Sequence, residues 1–249
     1  MSRTIYDLLI DRAASSRKVR RMLLGLNWSV AEVDACGLCF SPVDPPRTLS
    51  WAGTIAGRPA MELAAWIRSP EQAEATVGAS VINAVLNTTD NPLIDQATPL
   101  MGTGPPHLAV FEHFRDQLVG ANVVVVGRYP GLDSILGRSA YLCLERRSFP
   151  DTLPEKAAPE VLPGADWTFL TASAISNQTI LPLLELARSS RIVLMGPSLP
   201  WIGDWADLGV HYLAGVSVHD AGELFSVAAE GGGTRIFDRA VHYRLLRLR

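Results

Sequence analysis

A chain of 249 residues that is 48% apolar can bury the core of one large domain or two modest ones, and a net charge of −3 gives it no electrostatic footprint for nucleic acid or an acidic membrane. No apolar run approaches the length of a bilayer span, and the charges within residues 1–11 interrupt what an export signal would need. Three cysteines in a chain of this size point to a reducing, cytoplasmic setting with no disulfide framework.

Residues 3–15 read as an amphipathic helix. Extended segments follow at 19–26, 28–34 and 36–41, the first two joined at Gly25-Leu-Asn27, and short turns make antiparallel pairing the natural arrangement. Basic residues cluster at 17–21 and again at 244–249; with so few charges elsewhere, these read as solvated faces. Pro59 opens a helix whose Leu63 and Ile67 lie one turn apart. Ser69-Pro-Glu-Gln72 then gives a restart signal, with serine as cap and proline in the first turn. The helix after it sets Ala73, Val77, Val81, Ala84 and Val85 on one face and stops near Asn87. Residues 87–106 carry prolines, glycines and small polar residues without periodicity, and read as a linker. This divides the chain into domains over 1–100 and 101–249.

Beyond the linker, 107–117 is helical, and strand candidates recur at 122–126, 140–145, 166–171, 191–195 and 210–215 with helical patterns between most of them. Such alternation predicts an α/β domain with a mainly parallel sheet. Residues 236–248 read as an edge strand. Within this half, four valines from Val123 to Val126 form a strand buried on both faces. Gly127 breaks it, 132–136 can form a short helix, and residues 141–145 make a second strand ending on Glu145. The order is that of a nucleotide-binding unit, but the turn is Gly-Arg-Tyr-Pro-Gly, without the glycine that lets a pyrophosphate approach the backbone.

Ligands of open α/β sheets lie outside the carboxyl ends of the strands. Those ends supply Gly127, Arg128 and Tyr129, then Glu145 with Arg146 and Arg147, then Thr171, Ser173, Ser176 and Asn177, and finally Gly196, Pro197 and Ser198. Guanidinium groups, backbone N–H groups, hydroxyls and an amide suit an anionic or hydroxyl-rich small molecule. Cys36-Gly-Leu-Cys39 has redox or zinc spacing, but on a strand residues three apart point to opposite faces. The pair therefore reads as structural. His107 and His113 fall on opposed sides of a helix, and His211 and His219 would lie about 26 Å apart on extended chain. Asp220 and Glu223 read as an aspartate-led capping arrangement, not as metal ligands.

Gly57-Arg-Pro-Ala-Met-Glu-Leu-Ala64, Gly78 with Asn83-Ala84, Thr171 with Asn177-Gln-Thr179, Gly196-Pro-Ser198 and Glu230-Gly-Gly-Gly-Thr-Arg235 occur in that order. On these motifs the chain resembles a prokaryotic family named for heavy-metal chelation. The resemblance implies an enolase N-terminal-like α+β domain with a small antiparallel sheet, a Rossmann-like domain after it, and a site in the cleft between them. If a metal binds there, the donors proposed are Glu62 and Asn83 from the first domain with Tyr129, Glu145 and Asn177 from the second; Glu62 and Glu145 are the carboxylates among them. Three functions compete. The first is binding of a divalent metal ion, or a metal-bound anionic molecule, in the cleft. The second is an enzyme such as a transferase that uses S-adenosylmethionine or NAD, with Glu145 on the ribose. The third is a non-catalytic accessory protein. Homo-oligomerisation is left open by the sequence.

Overall fold

The computed structural model describes residues 4–249. The first helix runs over Ile5–Arg12 and is closed at its start by reciprocal bonds between Thr4 and Asp7; Arg3, the first residue of the expected helix, lies outside the described residues. Three short strands, β1 (Arg21–Leu24), β2 (Trp28–Glu32) and β3 (Cys36–Phe40), form the expected antiparallel sheet in the order β1-β2-β3. Helix Ala60–Ala64 begins after Pro59, as expected, and helix Gln72–Leu86 lies across one face of the sheet.

The restart signal acts differently from the prediction. The N-cap is Glu71, without a side-chain cap bond. The Ser69 hydroxyl instead accepts from Glu71 N at 3.1 Å and donates to the Glu74 carboxylate at 2.6 Å, ordering the turn before the helix. Nor is the helix buried on one face alone. Every residue from Ala73 to Ala84 except Glu74 is buried, because the small sheet covers one side and the second half of the chain covers the other. Small residues permit this: a Cβ on Gly37 of β3 would lie 2.0 Å from Ala84 N and 2.2 Å from Ser80 O, and one on Gly78 would lie 2.3 Å from Ile67 N.

The segment read as a linker is ordered and pinned. It holds helix Pro92–Gln96, capped by Asn91, and the two-residue strand β4 (Thr98–Pro99). The amides of Asn87 and Asn91 donate to the carbonyls of Leu199 and Trp201, so it is held against residues 199–201.

Seven further strands follow, β5 (Val123–Val126), β6 (Leu142–Glu145), β7 (Leu153–Pro154), β8 (Trp167–Thr171), β9 (Arg191–Met195), β10 (Val210–Val218) and β11 (Val241–Arg247). With β4 they make one eight-stranded sheet in the order β4-β11-β10-β9-β8-β5-β6-β7. The six strands from β7 to β10 are parallel, β11 runs antiparallel to β10, and β4 runs antiparallel to β11. Numbered from β5, the parallel set reads 3-2-1-4-5-6, the doubly wound order, with its switch point between β5 and β8. The expected closing strand over 236–248 is shorter than predicted. Helix Ile236–Arg239 precedes it, and β4 covers part of its outer edge.

Packing ties the two halves together. Ile5, Leu9, Cys39, Ile67, Ala79 and Ile82 share a core with Val124, Val126, Leu170 and Leu194 on one face of the large sheet. On its other face Val125, Phe169 and Val193 join Phe111 and Phe114, and the same core takes in Trp28, Val30 and Leu38 of the small sheet. Helix Ala221–Ala229, from the second half of the chain, contacts β1 and β2. A Cβ on Gly25 would come within 2.4 Å of Ala228 O in that helix.

Candidate functional site

At the carboxyl ends of the parallel strands lies a cleft of about 580 Å³, closed on its far side by the small sheet, within the range of small-molecule sites. Twelve of the thirteen residues expected from the strand ends line it: Gly127, Arg128, Tyr129, Glu145, Arg146, Arg147, Thr171, Ser173, Asn177, Gly196, Pro197 and Ser198; Ser176 is buried and is not among the lining residues. Gly127 has φ +98°, and a Cβ there would meet the Thr171 side chain at 3.1 Å, so glycine lets the ends of β5 and β8 meet at the switch point. Thr171 and Ser173 share a hydroxyl–hydroxyl bond of 3.0 Å. Thr179, at the start of helix Ile180–Leu186, makes no side-chain cap bond and lines the cleft.

Glu145 is placed at the cleft but its oxygens are already engaged. One accepts from Arg128 N at 2.9 Å, and the other accepts from Arg146 N at 2.8 Å and Arg147 N at 3.1 Å. The carboxylate thus ties the turn after β5 to the end of β6. Tyr129 is half-buried, with its ring edge-on to Phe111 at 5.0 Å; burial raises its pKa, and the Thr171 hydroxyl opposes that shift.

Two expected donors stand elsewhere. Glu62 is exposed and pairs with Arg58 one turn earlier at 2.6 Å, a bond that lowers its pKa, and it is not among the cleft residues. Asn83 is buried beneath the cleft. Its Nδ2 donates to Leu38 O at 2.7 Å and Ser198 O at 3.0 Å, and its Oδ1 has no protein partner. Phe40 N donates to the Ser198 hydroxyl at 2.9 Å, so β3, helix Gln72–Leu86 and the Gly196-Pro-Ser198 turn meet in one hydrogen-bonded seam.

The resemblance implied that the first domain closes the cleft, but the sequence did not show which of its residues do so. The small-sheet wall brings Asn27, Trp28, Phe40, Ser41 and Val43 to the cleft, while Gly233, Thr234, Arg235, Phe237 and Tyr243 come from the chain before and within β11. Asn27 Nδ2 donates to Gly231 O at 2.7 Å and Trp28 Nε1 to Gly233 O at 2.8 Å, strapping the glycine-rich loop onto the small sheet. The motif Glu230-Gly-Gly-Gly-Thr-Arg235 was the one sequence signal for this wall.

Four arginines line the cleft, at positions 128, 146, 147 and 235, against two carboxylates, Glu145 and Glu155. Arg146 pairs with Glu155 at 3.3 Å, and Arg128 lies over the Phe149 ring at 4.6 Å. Among the described residues no carboxylate pairs with Arg147, and Arg235 has only a 4.0 Å contact with Asp238.

The cysteines behave as structural residues. Cys36 and Cys39 are buried in different cores, as opposite strand faces require, and burial pushes both thiols up to about 11. Among the described residues, no three His, Cys, Asp or Glu side chains gather as a metal set, and no helix is long and apolar enough to cross a membrane. His107 bonds Pro130 O through Nε2 at 2.8 Å, and Asp220 caps helix Ala221–Ala229 by accepting from Glu223 N.

A family model described as "Putative heavy-metal chelation" matches residues 109–247, more than half of the chain, and a second model with the same description matches residues 6–86. The chain belongs to this family. Two solved members have the same fold, both reported as proteins of unknown function. The one from Desulfitobacterium hafniense is 24% identical, with a TM-score of 0.84 and coverage of 98% of this chain and 96% of its own. The one from Pyrococcus horikoshii is 18% identical, with a TM-score of 0.76 and coverage of 98% of both chains. Among curated proteins no match is found.

Proposed function

We propose that the cleft binds an anionic small molecule, and that a heavy-metal ion enters it only as part of such a molecule. The observation that carries this reading is the charge of the lining: four arginines face two carboxylates, one held by backbone N–H groups and the other paired with Arg146. A bare dication needs several anionic or imidazole donors converging on one point. Here it would meet guanidinium groups and a carboxylate whose oxygens are already engaged, so the lining does not fit a resident ion. Carboxylate or phosphate oxygens, by contrast, match the arginine forks. The hydroxyls of Thr171 and Ser173 and the amide of Asn177 add neutral donors beside them.

The lining offers no free acid–base pair. Tyr129 is held protonated by burial, and His107 has Nε2 committed to Pro130 O, so binding suits the site better than proton-transfer catalysis. The alternative of a nucleotide cofactor draws on the doubly wound strand order, but three backbone N–H groups already take up most of the accepting capacity of Glu145, which leaves a ribose at most one site on Oε2. Titration calorimetry with citrate, zinc citrate and ATP, against the wild type and an Arg147→Gln/Arg235→Gln double variant, tests the reading. Citrate or its zinc complex should bind the wild type and lose about tenfold or more in affinity in the variant, as expected when charge-assisted bonds are removed. Equal binding by both proteins would overturn it.

A further inference from the structure

One pair of metal-ligating side chains lies outside the cleft. β10 and β11 are antiparallel with Ser217 opposite His242 and Val218 opposite Val241. His219, two residues beyond Ser217, therefore projects from the same face as His242. The two imidazole rings are 4.4 Å apart between centroids and inclined by 49°, and both side chains are exposed. Neither histidine is among the cleft residues; Tyr243, which does line the cleft, occupies the opposite face of β11.

Two features prepare the pair. His219 N donates to Ala240 O at 2.9 Å, which fixes the backbone where β10 ends. Its Nε2 lies 3.2 Å from the Ser217 hydroxyl; with Nε2–H donating to that oxygen, Nδ1 is left as the ligand nitrogen, the usual way a neighbouring acceptor sets the tautomer of a metal-binding histidine. Two charged groups lie close by and make bonds of their own. Asp220 accepts from Glu223 N as a helix cap, and the Arg244 guanidinium is bonded to Ala97 O at 2.8 and 3.1 Å.

We infer that His219 and His242 form a two-imidazole surface site for a borderline divalent transition-metal ion, with Cu²⁺ preferred and water completing the shell. Nitrogen ligands of this kind suit copper, nickel and zinc, and copper heads that order of affinity. The thiols lie buried in the cores, so nothing at this site selects for softer ions. The inference is independent of the cleft reading, because the two sites share no residue.

The test is titration of untagged protein with CuCl₂, followed by calorimetry and by electron paramagnetic resonance. The wild type should bind one Cu²⁺ with the nitrogen signature of two imidazoles. His219→Gln and His242→Gln should each weaken binding about tenfold or more, while His113→Gln and the Arg147→Gln/Arg235→Gln variant leave it unchanged. Both substitutions are at exposed positions, and circular dichroism checks that the variants remain folded. Absence of copper binding in the wild type, or equal binding by the wild type and both histidine variants, would overturn the inference.

Discussion

At the scale of single residues, Glu145 shows how a side chain can occupy a ligand-binding position and serve the fold instead. Its oxygens accept three backbone N–H bonds across the ends of two strands. A carboxylate that accepts several such bonds is held more strongly than a neutral acceptor would be. Glu145→Gln should therefore destabilise the protein by about 1–2 kcal/mol in urea unfolding, through the turn after β5. Ligand affinity unaltered at matched folded concentration would agree with this; a selective loss of nucleotide binding with unchanged stability would restore the ribose role. The sequence placed Glu145 correctly at a strand end. It could not place the N–H groups of Arg146 and Arg147, because the direction of a loop amide depends on backbone angles that residue spacing does not fix.

Among the elements, helix Gln72–Leu86 carries the join between the two halves. Its small residues read as an ordinary one-sided pattern, yet the helix is covered on both sides because Gly37, Gly78, Ser80 and Ala84 allow backbones to approach. Gly37→Ala places a methyl against the main chain of Ala84 and Ser80, atoms that cannot rotate away. We expect a loss of about 3 kcal/mol, read as a lowered midpoint in thermal or urea unfolding, while alanine at the exposed Gly164, which meets no neighbour within 4 Å, changes little. The two-residue strands β4 and β7 of the large sheet leave no local pattern, but β5, β6, β8, β9 and β10 were legible to within a few residues, since valine-rich runs and glycine breaks are local signals. The antiparallel partners were not, and the His219–His242 pair was missed for that reason: twenty-three positions separate two rings that the register of β10 and β11 brings into contact. The same limit hid which residues of the small sheet form the wall of the cleft. Its residues lie on strands whose patterns reveal burial but not which distant loop they face.

For the whole molecule, the shared cores couple the buried thiols to global stability. Cys36 and Cys39 ionise near 11 in the folded chain, against about 9 in their ordinary state, chiefly through burial. Above pH 9 the unfolded chain releases protons that the folded chain retains, so unfolding becomes more favourable as pH rises. Their contribution is fully present below about pH 9 and is lost as pH approaches about 11. The urea midpoint should fall between about pH 8.5 and about pH 10.5, with a shallower fall in a Cys36→Ala/Cys39→Ala variant. Parallel pH profiles in the two proteins would contradict the coupling.

The strap between Trp28 and Gly233 has an optical consequence. Of the chain's six tryptophans, Trp28 is the one among the described residues that lines the cleft, with its indole N–H on the strap and its ring edge-on to Phe40 at 5.3 Å. The other five lie away from that lining. Anything that enters the cleft or loosens the glycine loop alters the surroundings of this one chromophore, so the protein carries its own fluorescent gauge of occupancy.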